Sequence, residues 1–571
     1  MPETTSGGVL TKAMNGHVSR GGEFEKRAAF VPTYALPAGT VAMAAGVDSV
    51  YVFGSGAAPT MPAGVKYQRL QHSDGVTALV SVLSYDLYAT KIYAVGLFAD
   101  GTIFHFYDGA RVTAWFDGRA RASFTITSGT ASPASTLLTL AVDGVSIITG
   151  TVVWATSNEA TAAAIAALIN STTSSPDYTA TAVGATVNIL AAIAGAAANG
   201  RAVSYTVSNG LAITPGPGFA LANGADNVAG VYQPGSFVKT MQKKMYSTSG
   251  SVLFFSGIAA PTKWTTDNVG AGFIDMAAET SGAEDLRAVA KYQNNLAIFA
   301  GRTIIVEYID PDPTLNRQMQ VLNNTGTLSP RSVTQFGDSD LFYLDESGVR
   351  SVRARDASNA AATSDIGVPI DTIVTAKLQG LTLTERSNII GLIEPRDGRF
   401  WLAAKDTIYV FSFFNGAKVS AWSTYTPSVV TGGVETLFPI DDIVVFQRVV
   451  HIRSGNTIYT FGGLSGTLQY DATVAEAWLP YLDAGSPTRK KNFTGIDAAV
   501  VGSWTVSAAM QPTNLLAEDK VATITETTFN GDRLPAIGDS THVSLRFRTT
   551  GSELAKLGSA VIHYEGDTSE D

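Results

Sequence analysis

The apolar positions of this chain fall in short runs bounded by Gly, Asp and Asn, the pattern of strands joined by tight turns. The clearest example is Arg396–Trp422, RDGRFWLAAKDTIYVFSFFNGAKVSAW. Asp397-Gly398 opens it and residues 400–404 read as a strand. Lys405-Asp406 then turns the chain into 407–414, and Asn415-Gly416 reverses it into 418–422. Asn-Gly and Asp-Gly between apolar runs predict hairpins whose two central residues carry positive φ. The stretch is therefore expected to be a three-stranded aromatic meander. YDGARVTAW at Tyr107–Trp115 echoes FNGAKVSAW at Phe414–Trp422 with an identical or chemically equivalent residue at every position, as when one supersecondary unit is reused.

The same pattern divides the chain. Residues 1–39 are polar and Gly-rich with mixed charge, and read either as an arm lying on a neighbour or as a loose tail. Residues 40–121 hold about two blade-sized groups of strands. Small residues dominate 122–228, where Thr156-Ser157-Asn158-Glu159 reads as a capping box with Thr156 the N-cap. A helix over 160–169 follows, with Ile165, Leu168 and Ile169 on one face, so this segment is expected to be an inserted α+β domain. Aromatic strands resume over 229–480, and 481–571 forms a further β region ending in an acidic tail. The fold class is mainly β: a β-propeller-like body, a small α+β insert and a C-terminal β region, with an array of β-sandwiches as the competing architecture.

Composition narrows the chemistry. The 571 residues include no Cys, which excludes disulfides, thiolate nucleophiles and Cys-ligated metals. A formal net charge of −10 opposes any sequence-independent grip on DNA and suits a surface that nucleic acid slides past. The start has no basic n-region followed by an apolar core. The uncharged stretch between Asp177 and Arg201 is weakly hydrophobic and reads as strands, so no stable membrane insertion is expected.

His17, His72, His105, His451, His542 and His563 are scattered without metal-ligand spacing, and His105 reads as a strand-face residue between Phe104 and Phe106. Nucleophile elbow, P-loop and dinucleotide fingerprint are missing, and neither cofactor nor enzymatic activity is expected. Asp338, Asp340, Asp345 and Glu346 read as turn carboxylates. Asp310, Asp312, Asp441 and Asp442 could serve glycan hydrolysis but read as exposed loop acids. Arg353 and Arg355 would share one strand face, with Arg350 on the other, meeting phosphates, a neighbour's acids or solvent. Arg350, Arg353, Arg355, Arg489, Lys490 and Lys491 are the candidate subunit-contact residues.

Asn15–Val31 running into PTYALPAGT, the motif Tyr107–Trp115, LFFSGIAAPTKW at Leu253–Trp264 and HVSLRF at His542–Phe547 together resemble phage tail proteins of the tubular-B, or nozzle, group. The resemblance covers the propeller-like parts and the C-terminal strands. It implies a homohexameric ring below the tail adaptor ring, closing a short tail and contacting fibres or spikes. It further implies a virion protein, made in the bacterial host cytoplasm, past which double-stranded DNA moves without specific binding. No catalytic residues come with it. A tail-tip receptor- or glycan-binding propeller, with Trp264 or Trp401 stacking on sugar, is the alternative, and a polysaccharide depolymerase is a further one.

Overall fold

The computed structural model describes residues 10–113, 119–222, 224, 234–265, 268–280, 282–337, 340–358, 365–514, 516–529, 534–535 and 537–566. Among these, seven sheets succeed one another as the blades of a propeller. Blade 1 holds Ala42–Ala45, Val50–Gly54 and Val65–Arg69, and blade 2 holds Leu79–Tyr88, Lys91–Phe98, Ile103–Tyr107 and Ala110–Arg111. Blade 3 is Phe237–Met241, Lys244–Ser249, Val252–Phe255 and Gly272–Asp275. Blade 4 is Ala288–Tyr292, Asn295–Phe299, Thr303–Tyr308 and Arg317–Asn323. Blade 5 has three strands, Thr334–Phe336, Asp340–Asp345 and Gly348–Ser351. Blade 6 comprises Ile390–Glu394, Arg399–Ala404, Thr407–Phe414 and Val419–Tyr425. Blade 7 comprises Asp442–Phe446, Val449–Ser454 and Thr457–Phe461, completed by Phe30–Ala35.

The first strand of each blade lies beside the first strand of the next, and that of blade 7 beside that of blade 1, so the ring closes. A hydrophobic cluster fills each gap. Ala44, Phe53, Leu79 and Phe98 meet between blades 1 and 2, while Trp401, Val410, Ile443 and Ile452 meet between 6 and 7. Met43, Val52, Val444 and Ile458 seal 7 against 1. Blade strands are covered on both faces, which is why 400–404, buried throughout, reads as a continuous apolar run. Phe30–Ala35 runs antiparallel to Thr457–Phe461 as the outermost strand of blade 7. Its Pro32 cannot donate to a ladder, so only an edge accepts it.

Residues 119–222 leave the ring between blades 2 and 3 and pack around their own core, in which Phe124, Leu140, Ile165, Ile169 and Val187 are buried. Its helix is Asn158–Ser171, and Ile165 and Ile169 do face the core. The N-cap is Ser157, whose hydroxyl accepts from the Ala160 amide; the expected Thr156 is one residue early.

The C-terminal region is a two-sheet sandwich around Trp504, Val506, Phe493, Ile496 and Phe547. The N-terminal segment belongs to both sheets. Lys12–Met14 pairs in parallel with Val419–Tyr425 of blade 6 and antiparallel with Ala475–Trp478. This joins blade 6 to Ser544–Thr549, Trp504–Ala509 and Asp519–Ile524 in one nine-stranded sheet. Gly16–Val18 and Phe24–Lys26 extend the other sheet beside Lys556–Gly566, Lys491–Val501 and Gly538–Ser540. Residues 10–35 are thus not a loose tail, but supply strands to three sheets of their own chain.

Several local expectations change. Asp108 and Gly109 both carry positive φ, at 53° and 79°, as a two-residue hairpin requires. The Asn415-Gly416 turn instead closes as a short 3₁₀ segment, Asn415–Ala417, with Lys418 left-handed at φ 54°. Both echoed motifs connect the third strand of a blade to the fourth; Trp115 itself lies outside the described residues. Arg353 and Arg355 do not share a strand face, because the chain turns into the helix Val352–Ser358 directly after blade 5.

Candidate functional site

A cleft of about 450 Å³ opens where blade 6, the N-terminal segment and the C-terminal sandwich meet. Blade 6 contributes the turn between its first two strands: Glu394, Arg396, Asp397 and Arg399. The N-terminal hairpin contributes His17, Ser19, Arg20, Glu23, Glu25 and Lys26, and the far side holds Phe461, Tyr470, Leu554 and Lys556. Gly16 lets this hairpin close, since a Cβ there would sit 2.8 Å from the Glu25 carbonyl oxygen.

Most of the charges are paired. Lys556 Nζ lies 3.1 Å from Glu25 and 3.5 Å from Glu23. Arg399 Nη1 lies 2.8 Å from Asp397 and 3.8 Å from Glu394. Glu394 also accepts the amides of Arg396 at 2.7 Å and Asp397 at 3.2 Å, which shapes the turn, while burial pushes its carboxyl pKa up. Lys26 donates to the Asp471 carbonyl at 2.7 Å, and burial brings its pKa down to about 8. His17 bonds Tyr425 Oη through Nδ1 at 2.6 Å. Its pKa is held well below the usual value, first by burial and then by Arg399 and Lys556, so it is neutral.

Four donor groups are not so engaged. Ser19 is 9% exposed and Arg399 5%, yet neither Ser19 Oγ nor Arg399 Nε has a hydrogen-bond partner. Among the described residues no carboxylate pairs with Arg20 or Arg396, both exposed; Arg20 stacks 5.3 Å from the centroid of the Phe414 ring. Buried orphan donors are costly, about 1–3 kcal/mol each, so a cleft that keeps two of them invites an acceptor. The residues that build this site come from positions 17–28, 394–399, 461–470 and 554–556, and no local motif marks them.

The six cations that the sequence offers as subunit contacts are not brought together here. Arg350 is buried and bonds Asp371 at 2.8 Å, and Lys491 is buried with its ammonium on the carbonyls of Arg489 at 2.9 Å and Thr541 at 3.1 Å. Both are thus held inside the chain's own fold. Arg355 lies 3.2 Å from Asp365, and Arg353, Arg489 and Lys490 are exposed.

The proposed sugar platforms fail likewise: Trp264 is 1% exposed, donating to Tyr93 Oη at 3.0 Å, and Trp401 is 0% exposed inside blade 6. His105 is a buried strand residue, its Nε2 2.7 Å from the Gly235 carbonyl and its Nδ1 3.1 Å from Tyr93 Oη; burial takes its pKa to about 3.

The paired acids are structural. Asp442 is buried, binding Arg331 at 2.6 Å, Arg453 at 3.2 Å and the Met43 amide at 3.1 Å, and so ties blades 7 and 1 to the turn entering blade 5. Asp312 caps the turn at Thr314, and Asp310 accepts the Asp312 amide. Asp345 anchors Ser347; Asp338 lies outside the described residues. Among the described residues no group of three His, Asp or Glu could hold a metal ion, and no helix is long and apolar enough to cross a membrane.

No family model matches the chain, and no curated protein matches it. Among solved structures it is similar to Kluyvelomyces marxianus Hsv2 at 7% identity, covering 57% of this chain and 95% of that one, with a TM-score of 0.25. The exo-beta-1,3-galactanase of Phanerochaete chrysosporium, solved with galactose, matches at 12% identity over 68% and 95%, with a TM-score of 0.19. PorZ, a surface component of the type-IX secretion system of Porphyromonas gingivalis, matches at 12% over 87% and 77%, with a TM-score of 0.27. Likenesses this distant carry no statement about function. The architecture rests on the blades themselves: a propeller with an inserted α+β domain and a C-terminal β-sandwich.

Proposed function

We propose that the chain is a structural tail protein of the nozzle type, one of six copies forming a ring under the tail adaptor of a short-tailed phage. The observation that supports this best is the threading of residues 12–35 through three sheets, which welds ring and sandwich into one body. A wall that withstands a passing genome needs load carried by ladders of backbone hydrogen bonds rather than by linkers, and this chain has that. The conduit lies between copies and not along a propeller axis. The first strands of all seven blades adjoin their neighbours in a closed ring. Arg331–Asp442 further ties that ring together. A net charge of −10 keeps Coulomb attraction for DNA low. This role requires no bond-breaking step.

The test is electron microscopy of the purified full chain with and without adaptor rings. Sixfold annular particles with a central opening are expected. A chain that sediments as a monomer at every concentration and never joins adaptor rings refutes the proposal. The seam cleft, with its orphan donors, favours a second reading, a receptor- or glycan-binding role at the tail tip.

A further inference from the structure

We infer that the seam cleft binds an acidic sugar, a pyranose bearing a carboxylate, as in a uronic acid unit. The inference names the ligand of the second reading and rests on that reading only for its biological setting. Ser19 Oγ and Arg399 Nε are buried donors without partners, and both line the cleft. Arg20 and Arg396 stand at the same opening without a carboxylate partner among the described residues. These four groups ask for an acceptor with negative charge, and Arg is the side chain whose geometry suits a carboxylate.

The opposite requirement is also present. Glu23, Glu25, Glu394 and Asp397 line the cleft too, so an anion rich in acceptors and poor in donors, such as inorganic phosphate, would meet four carboxylates with little to donate. Glu23 and Glu25 share Lys556, and Glu394 and Asp397 share Arg399; counting Arg20, Lys26 and Arg396 as well, five cations face four acids along the cleft, so no net negative charge awaits a ligand ammonium. What they can still accept is a neutral hydroxyl. A ring with one carboxylate and several hydroxyls supplies both needs. Tyr470 and Phe461 add partly buried aromatic surface, and about 450 Å³ holds a monosaccharide unit with room for its neighbours in a chain.

The experiment is calorimetry and saturation-transfer NMR on the full-length protein with D-glucuronate, D-glucose and inorganic phosphate in parallel. Glucuronate at about 20 mM, enough to saturate a site of millimolar Kd, is expected to bind while glucose does not. Arg20→Gln with Arg396→Gln should weaken glucuronate at least tenfold, and Ser19→Ala severalfold, with melting temperatures unchanged because Arg20 and Arg396 are exposed. Four outcomes overturn the inference: no glucuronate binding, equal binding of glucose, phosphate binding as tightly as glucuronate, or unaltered affinity in the double Arg variant. Ring formation under the microscope is scored separately, so failure here leaves the nozzle proposal standing or falling on its own test.

Discussion

Arg27→Met is the substitution that most directly asks whether the N-terminal segment holds the molecule together. Arg27 is 0% exposed and sits where segment, propeller and sandwich meet. Its Nη1 donates to the Ala28 carbonyl at 2.8 Å. Nη2 donates to Ser428 Oγ at 2.9 Å and Thr473 Oγ1 at 3.0 Å, and Nε to Asn15 Oδ1 at 3.3 Å. Asp471 is 3.6 Å away, and the guanidinium lies 4.6 Å from the centroid of the Phe30 ring. Met fills much of the volume but removes the charge and every donor. Breaking a buried pair by deleting one partner costs about 3–5 kcal/mol, because the remaining groups stay desolvated and unpaired. If ring and sandwich melt as one unit of roughly 460 residues, at about 2.1 cal/mol/K of unfolding entropy per residue, that is a fall in melting temperature of roughly 3–5 °C. The assay is thermal unfolding followed by tryptophan fluorescence, with Trp401 in blade 6 and Trp504 in the sandwich as fully buried reporters on the two sides of Arg27. Both should report the loss together. Lys66→Met, which removes an exposed partner of Asp48, should leave the melt unchanged. A shift at Arg27 no larger than at Lys66 would refute the idea that this segment carries the junction.

Three further expectations concern titration and modularity. His105 titrates near 3 when folded and near 6.5 when unfolded, so between these values the unfolded chain binds the extra proton and stability rises with pH. Stability should therefore be lost as pH falls below about 6.5, and His105→Gln should flatten that dependence; an unchanged slope between pH 7 and 4 in melting scans refutes it. Burial and the neighbouring Glu279 raise the Glu307 pKa to about 7, so the folded state binds the extra proton between 4.5 and 7 and loses stability as pH rises through that window. Glu307→Gln should melt higher than the parent at pH 8 and no higher at pH 4. Because the insert has its own core, replacing residues 119–222 by a short Gly/Ser linker should leave a propeller that still unfolds cooperatively, and aggregation of the shortened chain would contradict that independence.

Residues alone reveal whatever neighbouring residues decide. The strands 91–98, 303–308 and 457–461 begin and end where the apolar runs do, since turn residues set both limits. The insert helix is visible through its apolar period, and its cap lies one residue off because Thr156 and Ser157 are both competent oxygens. Ring closure is not legible. Phe30–Ala35 pairs with a strand more than 400 residues away, and nothing local distinguishes it from any other short run. Arg353 and Arg355 mislead because Gly348–Arg353 continues a strand-like pattern into a turn that tertiary packing makes helical. Trp264 and Trp401 look like exposed platforms because their burial comes from a neighbouring blade or strand, which the flanking sequence does not encode.

The seam cleft is illegible for the same reason that it is interesting. Its walls belong to three parts of the chain that meet only after residues 12–35 have threaded between ring and sandwich. A ligand held there touches the hairpin carrying Ser19 and Arg20, the blade 6 turn carrying Arg396 and Arg399, and the sandwich strand carrying Lys556. Such a ligand binds the assembled state and not the unthreaded one. At a hundred times its Kd it stabilises the junction by about 2.7 kcal/mol, approaching what Arg27 is expected to contribute. Linkage is reciprocal, so loosening the segment must weaken the ligand by the factor that the ligand tightens the segment. Affinity at the cleft and stability of the junction are therefore joined by one coupling free energy, measurable from either side.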